Sequence, residues 1–392
     1  MTVVYRNAAL ADGRSPDLEL DVTIVVDGGR ISWMGHDDEV PDQDDARVID
    51  AGGATVVPGM VDAHSHLTMP GGSHWIDRGF DPTPELERVA EENARLALGA
   101  GVRWLRDVGS PMRDDPAGGS RALALQIRDR WRGRGRDVPY LRAAGSWISK
   151  EGVLPEELAV AVDDADGLHA AVERQLDDGA DLVKLYMDGP DRDEAPWTVD
   201  ELRRAVDAAR ARGAGATAHA TRVAGARVCA DAGVDAIEHG FELDHDIAAT
   251  MSEKSIFLVA TLAVTASWRT FSRTTRIPRF VEDGSRSALE ERRSGALESV
   301  LIARNAGVRI AAGTDFGGGS LRANQLAWEV ESLVEAGLEP WEALAAATWR
   351  GGELLGERDA GVLRHGGPAD FFLVHGDPLS DPSSLWRVWR VA

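Results

Sequence analysis

From about residue 56, short apolar segments alternate with longer segments of helical pattern, which is typical of parallel βα units. We predict strands at residues 56–62, 102–108, 139–145, 181–187, 214–219, 234–238, 256–262 and 308–313. We predict helices at residues 85–99, 120–132, 167–178, 199–212, 222–232, 289–306, 324–336 and 340–356. Eight strands with helical connections predict a (β/α)8 (TIM) barrel, an α/β fold. An open doubly wound sheet is the alternative, but no G-x-G-x-x-G fingerprint follows the first strand of a βαβ unit.

Both ends of the chain have a β character that the middle lacks. Short strand patterns separated by turn signals occur at residues 3–5, 18–26, 30–34 and 48–50, and strand-like chemistry returns at 361–374. We therefore predict a composite β-sandwich domain of residues 1–57 and 361–392 beside a barrel of residues 58–360. The polar, aperiodic stretch 264–290 predicts a mobile loop over the site.

Composition narrows the classes of partner. The net charge is −22 and the acidic residues are scattered, which argues against nucleic-acid or anionic-membrane partners. We see no apolar run of about 20 residues and no secretory signal pattern. The single cysteine, Cys229, cannot form an internal disulfide and most simply packs in the core. We expect a cytoplasmic protein with a small-molecule substrate. The sequence is compatible with a homo-oligomer but does not fix the number of subunits.

The first barrel strand ends in a His-x-His pair, His64 and His66. Side chains at i and i+2 of a strand share a face, so both imidazoles can reach one metal ion. With 10 histidines in the chain, such a pair can also arise by chance. Barrel active sites lie at the C-terminal ends of the strands, where three further potential metal ligands lie, namely His219, His239 and Asp315. This convergence predicts a metal site.

Lys184 lies within the apolar fourth strand of a chain whose 43 basic residues include only three lysines. A buried ammonium is costly, so the lysine must find a carboxylate, shift its pKa or react. Reaction of the neutral amine with carbon dioxide gives a carbamate that could bridge two metal ions. Arginine cannot do this because its guanidinium stays protonated. A salt-bridged lysine inside the barrel mouth is the alternative.

Other chemistries have little support in the sequence. No G-x-S-x-G elbow and no G-x-x-x-x-G-K-[ST] loop is present. We consider four side chains near the predicted rim as candidate substrate contacts. His74 lies in the first βα loop, Trp147 could offer an apolar wall, Tyr186 shares the strand of Lys184, and Arg222 could hold a carboxylate.

These motifs resemble those of the amidohydrolase superfamily of metal-dependent hydrolases over nearly the whole chain. The matching segments are residues 57–67, 218–220, 237–240, 312–315 and 361–379. Residues 180–185 are similar to the branch of prolidase-like and imidazolonepropionase-like proteins, which use a carboxylated lysine. In related dipeptidases a Gly-Gly-His segment often follows the third strand, whereas residues 144–150 contain no histidine here.

The resemblance implies a binuclear site that holds two divalent metal ions, usually zinc. It implies that His64, His66 and Asp315 hold one ion, that His219 and His239 hold the other, and that carboxylated Lys184 bridges them. A bridging hydroxide would then attack a carbonyl, and Asp315 would pass its proton to the leaving amine.

We expect hydrolysis of an amide or cyclic amide C–N bond, for example in N-acyl amino acids or Xaa-Pro-type dipeptides. Lactone, ester or carbamate hydrolysis uses the same machinery and stays open. A non-catalytic amidohydrolase-like binding protein is the alternative from another class.

Overall fold

The structure, a computed structural model, describes residues 1–43, 45–156, 158–282 and 284–392, and of residues 278 and 279 only the backbone. Its strands are β1 (Val3–Leu10), β2 (Glu19–Asp27), β3 (Arg30–His36), β4 (Arg47–Asp50), β5 (Thr55–Pro58), β6 (Met60–Ser65), β7 (Val102–Asp107), β8 (Met112–Asp114), β9 (Ser120–Ala122), β10 (Tyr140–Lys150), β11 (Ala159–Val162), β12 (Leu182–Tyr186), β13 (Gly215–Ala220), β14 (Ala236–His239), β15 (Phe257–Val259), β16 (Ile310–Ala311), β17 (Phe371–Val374) and β18 (Val388–Val391).

Its α-helices are α1 (Trp75–Arg78), α2 (Thr83–Gly99), α3 (Leu123–Trp131), α4 (Ala165–Asp177), α5 (Val199–Ala211), α6 (Val223–Ala232), α7 (His245–Glu253), α8 (Leu262–Thr274), α9 (Pro278–Val281), α10 (Ser285–Asn305), α11 (Leu326–Glu335), α12 (Pro340–Ala346) and α13 (Trp349–Leu355). Within the described ranges, no helix is long and apolar enough to cross a membrane.

The central sheet is a barrel of parallel strands. Its order is β6, β7, β10, β12, β13, β14, β15 and β16, and each neighbouring pair is parallel. Backbone hydrogen bonds close it, because Asp315 N donates to His64 O at 2.8 Å and His66 N donates to Phe316 O at 3.0 Å. The predicted (β/α)8 barrel is confirmed, and its closure places the ends of the first and eighth strands side by side.

A second sheet combines both ends of the chain. Its order is β18, β17, β5, β1, β2 and β3, and β4 pairs with β1. Its own apolar core includes Tyr5 and Phe371, whose ring centroids lie 5.0 Å apart. This sheet fits the predicted small sandwich domain, whereas the division of the chain at residues 57 and 361 stays a prediction.

The predicted first strand, 56–62, is wrong as a single strand. β5 belongs to the sandwich sheet, β6 belongs to the barrel, and Gly59 separates them. Gly59 N donates to Asp370 O at 2.8 Å, and a Cβ at this position would lie 2.8 Å from Cβ of Arg103. The sequence shows one apolar run because both strands are buried, so hydrophobicity does not reveal the break.

The predicted loop 264–290 is also wrong, since α8, α9 and the start of α10 occupy most of it, with residue 283 outside the described part. Polar side chains hid the helical pattern. Thr265 Oγ1 donates to Leu262 O at 2.7 Å and Ser267 Oγ donates to Val264 O at 2.8 Å. Hydroxyls satisfied by the preceding turn can be buried in a helix, so α8 carries a polar sequence on a packed face.

Candidate metal centre

Six side chains that the sequence singled out lie together at the C-terminal end of the barrel. They are His64 on β6, His66 just after it, Lys184 on β12, His219 on β13, His239 at the end of β14 and Asp315 just after β16. The ring centroids of His64 and His239 are 4.8 Å apart, and those of His219 and His239 are 4.4 Å apart. Ligand atoms of His64, His239 and Asp315 lie within 4.8 Å of one another, which is close enough to hold one metal ion.

The two histidines of the first strand are fixed by their Nδ1 atoms. His64 Nδ1 lies 2.7 Å from Glu238 Oε2, and His66 Nδ1 lies 2.9 Å from Gly109 O. Their Nε2 atoms both face Asp315 Oδ1, at 3.5 Å and 3.3 Å. A metal-binding imidazole normally donates its other N–H to a protein acceptor, so this arrangement leaves Nε2 of both rings for a ligand.

The other two histidines are held in the same way, but by different nitrogens. His239 Nδ1 lies 2.8 Å from Thr261 Oγ1, which leaves Nε2. His219 Nε2 lies 3.1 Å from Asp188 Oδ2, and Tyr186 stacks on this ring at 4.0 Å, which leaves Nδ1. Burial lowers the pKa of both imidazoles, most strongly that of His239, which favours the uncharged ring that can bind a metal.

Three residues around the site have left-handed backbone. The φ angles are +72° at His239, +58° at Asp315 and +50° at Thr261. Such conformations are costly for residues other than glycine, and they cluster at functional sites. At His239 the turn breaks the alternation of β14, so that Glu238 and His239, though consecutive, are both buried at the site.

Asp62 holds the end of the eighth strand against the first. One carboxylate oxygen accepts hydrogen bonds from Thr314 N at 3.0 Å and His64 N at 3.2 Å, and the other accepts one from Thr314 Oγ1 at 2.6 Å. This clamp sets the position of the next residue, Asp315. Burial raises the pKa of Asp315, but hydrogen bonds from His64 and His66 outweigh it and hold that pKa well below the usual range.

Lys184 is almost completely buried, with 1% of its surface exposed. Among the described residues, no hydrogen-bond partner lies within reach of its Nζ. Burial lowers the pKa of the ammonium to about 8, although the nearby Glu238 carboxylate opposes this shift. An unpartnered amine that loses its proton near pH 8 fits a lysine that reacts or binds a metal better than one that forms a structural ion pair.

A buried ion pair lies beneath the histidines. Arg106 Nη1 donates to Glu238 Oε1 at 2.7 Å, and the hydroxyl of Thr217 donates to the same oxygen. Burial raises the pKa of Glu238, but the charges of Arg106 and Lys184 outweigh it and hold the pKa well below the usual range. The sequence reading missed both Arg106 and Glu238.

A cavity of about 380 Å³ opens onto these residues. Its apolar lining is Trp75, Ile76, Trp147, Val153, Leu154, Pro155, Leu158, Phe241, Val264 and Trp268. Three of the four predicted substrate contacts, Trp147, Tyr186 and Arg222, line it. His74 is not among the described lining residues, because its exposed imidazole faces solvent and lies 3.6 Å from Asp77.

Among the described residues, two arginines border the cavity, Arg222 and Arg292. Arg222 Nη1 donates to Asp191 O at 3.2 Å, and the guanidinium of Arg292 lies 5.8 Å from the ring centroid of Phe241. The sequence reading missed both Arg292 and Trp268: Arg292 lies on α10 within the predicted helix 289–306, whereas Trp268 lies on α8 in the stretch predicted as a loop. Helical assignment of 262–274 would have placed Val264 and Trp268 one turn apart on one face.

The chain is similar to hydrolases of known class. The sequence profile of the Amidohydrolase family matches residues 55–391. An uncharacterised protein of Mycobacterium tuberculosis is 32% identical over 338 residues, which cover 85% of this chain and 82% of that protein. Imidazolonepropionase of Anaeromyxobacter dehalogenans is 26% identical over 95% of this chain and 89% of its own length. The structure of an Xaa-Pro dipeptidase with bound methionine superposes with a TM-score of 0.84 at 25% identity, over 100% of this chain and 98% of that one.

Proposed function

Because this chain belongs to the amidohydrolase family, we propose that it hydrolyses an amide or cyclic amide C–N bond with the help of two divalent metal ions. Zinc is the metal that we propose. The chain is a hydrolase of that family and has a candidate His/Asp metal site. The relatives named imidazolonepropionase and Xaa-Pro dipeptidase support this bond class.

One observation carries the proposal. Each of the four histidines has one ring nitrogen bonded within the protein, and each ring lies beside Asp315 or a neighbouring imidazole. His64, His66 and Asp315 would hold one ion, and His219 and His239 the other. Lys184, buried and without a hydrogen-bond partner among the described residues, would bridge them as a carbamate.

The chemistry divides between the ions and the chain. Bound ions would polarise the substrate carbonyl and lower the pKa of a water molecule. Asp315, whose Oδ1 lies 3.5 Å and 3.3 Å from the Nε2 atoms of His64 and His66, would accept the proton of that water and deliver it to the leaving nitrogen. The left-handed backbone at Asp315, held by the Asp62 clamp, keeps this carboxylate directed at the site.

The cavity supports a particular substrate class. Its apolar wall, which includes Trp147 and Trp268, suits a hydrophobic acyl group or side chain, and Arg222 and Arg292 at the border suit a carboxylate. N-acyl amino acids and Xaa-Pro-type dipeptides carry both features. Residues 144–150 lack the histidine that related dipeptidases often carry, which favours N-acyl amino acids over dipeptides.

The test is a hydrolysis screen on zinc-loaded protein with N-acyl amino acids, Xaa-Pro dipeptides and cyclic amides, set against lactones, esters and carbamates. We expect turnover of an amide carrying a free carboxylate. Turnover of lactones or esters without any amide, or fewer than about one bound ion per chain after gentle purification, would contradict the proposal.

Lys184→Ala tests the bridging ligand in the same assay. We expect activity to be lost and partly restored by bicarbonate or a short carboxylic acid. Lys254→Ala is the matched control, since Lys254 Nζ donates to Ala230 O and Asp231 O on α6, at 3.0 Å and 2.9 Å, and is not among the described residues that line the cavity. Full activity of Lys184→Ala would refute the bridging carbamate.

A further inference from the structure

Arg106 is a buried arginine that reaches into the barrel beneath the candidate metal centre. Its Nη1 donates to Glu238 Oε1 at 2.7 Å and to Ala63 O at 2.9 Å. Both the guanidinium and the Glu238 carboxylate are removed from solvent. A buried ion pair seldom adds net stability compared with apolar side chains of the same size. Its presence in the barrel interior therefore calls for another explanation.

Glu238 connects this arginine to the first metal-facing histidine. Its Oε1 accepts from Arg106 and from the hydroxyl of Thr217, so Oε2 is left for His64 Nδ1 at 2.7 Å. The carboxylate thus cannot rotate without breaking its other bonds. His64 is thereby fixed as an Nδ1 donor whose Nε2 lies 3.5 Å from Asp315 Oδ1.

We propose that Arg106 is a positioning residue that acts through Glu238 to fix the ring orientation and tautomer of His64. This inference rests on the proposed metal-dependent function. Arg106 is not among the described residues that line the cavity at the metal centre, and its effect is on the orientation of His64. Loss of a carboxylate that orients a metal-binding histidine typically weakens metal binding about 10- to 100-fold. We expect loss of Arg106 to weaken metal binding for the same reason, because Arg106 anchors that carboxylate.

Arg106 also borders a second cavity, of about 690 Å³, at the opposite end of the barrel from the metal centre. The cavity lies at the N-terminal ends of β12 to β15, where Leu182, Gly215 and Phe257 line it. A small cation could therefore reach the position of the Arg106 guanidinium without passing through the metal centre. This access makes chemical rescue a direct test.

The experiment measures zinc affinity by competition with a chelator in wild type, Arg106→Ala and Arg106→Lys, together with the visible absorption spectrum of the cobalt-loaded proteins. We expect Arg106→Ala to bind zinc about 10- to 100-fold more weakly and to show an altered cobalt spectrum. Millimolar guanidinium chloride should restore both readings, whereas sodium chloride at the same concentration should not. Arg106→Lys should lie between, since an ammonium lacks the planar fork that reaches two acceptors.

Arg142→Ala is the matched control. Arg142 borders the same cavity but pairs with Asp181 at 3.0 Å and with Glu357, away from the metal centre, so its loss should leave zinc affinity unchanged. A merely structural role for Arg106 would lower stability without guanidinium-dependent recovery of the cobalt spectrum.

The outcomes separate the two proposals. Tight zinc binding by wild type with unchanged affinity and spectrum in Arg106→Ala overturns the positioning role and leaves the proposed function intact. Absence of zinc binding by wild type overturns both. If Arg106→Ala does not fold, the zinc affinity of Arg106→Lys is the test. An affinity below that of wild type supports the positioning role, and an affinity equal to that of wild type overturns it.

Discussion

The buried amine of Lys184 should make the metal-free protein less stable than a variant without it. Burial lowers the pKa of Lys184 from 10.5 to about 8. At about 1.4 kcal/mol for each pKa unit, the protonated amine destabilises the native state by roughly 3 kcal/mol at neutral pH. Methionine has a similar length and no charge. We therefore expect metal-free Lys184→Met to be more stable than metal-free wild type by up to about 3 kcal/mol.

The pH dependence of this difference follows from the same shift. Between about pH 8 and 10.5 the unfolded chain holds the Lys184 proton more tightly than the native protein does. The free energy of unfolding of wild type therefore rises with pH over this range, and the advantage of Lys184→Met shrinks. Below about pH 8 the advantage is complete.

Urea unfolding after chelator treatment, at pH 7 and at pH 10, measures the effect. Lys150→Met is the control, because the Lys150 ammonium lies 4.4 Å from the ring centroid of Trp197 and its loss should cost about 0.5–1 kcal/mol. A metal-free Lys184→Met protein that is less stable than wild type at pH 7 would refute the reasoning, since Lys184 would then be a stabilising structural cation.

Four other substitutions test three separate parts of the structure. Asp62→Asn places a donor amide beside Thr314, where a second acceptor oxygen is needed. The free energy of unfolding, measured with urea, should fall by about 1–3 kcal/mol. Unchanged stability would contradict the role of Asp62 as a clamp. Burial raises the pKa of Glu329 from 4.5 to about 8, so between about pH 4.5 and 8 the native state holds this proton more tightly than the unfolded chain does. The free energy of unfolding therefore falls as pH rises over this range. Glu329→Gln should remove that slope in a pH series of unfolding curves. Arg222→Ala and Arg292→Ala should each raise KM for a substrate with a free carboxylate and leave KM for its methyl ester unchanged, and equal effects on both substrates would exclude a carboxylate contact.

The sequence supports prediction of the barrel and of the six rim residues because both depend on local patterns. Strands recur at regular intervals, and parallel strands place their C-terminal ends at one rim. His64, His66, His219, His239 and Asp315 each lie at or just after the end of such a strand, so the convergence can be read without a structure.

The supporting residues could not be read in this way. Arg106 and Glu238 are separated by 132 residues and meet only when the barrel closes. A charged residue inside a strand gives no sign of its partner. Glu238 also breaks the alternation of inward and outward side chains, because the left-handed backbone at His239 lets consecutive residues face the site.

The errors in secondary structure have physical causes of a similar kind. The run 56–62 is apolar throughout because two different sheets bury its halves, and only the contact of Gly59 with Arg103 and Asp370 marks the boundary. In α8, hydroxyl groups bonded to the preceding turn replace the apolar residues that a buried helix usually shows.

Anomalous diffraction at the zinc edge, on crystals of the zinc-loaded protein, tests the central claim most directly. We expect two peaks, one contacted by His64, His66 and Asp315 and the other by His219 and His239. Electron density should extend from Lys184 Nζ between the two peaks. A single ion that does not involve Lys184, or no peak at these residues, would contradict the proposed binuclear hydrolase.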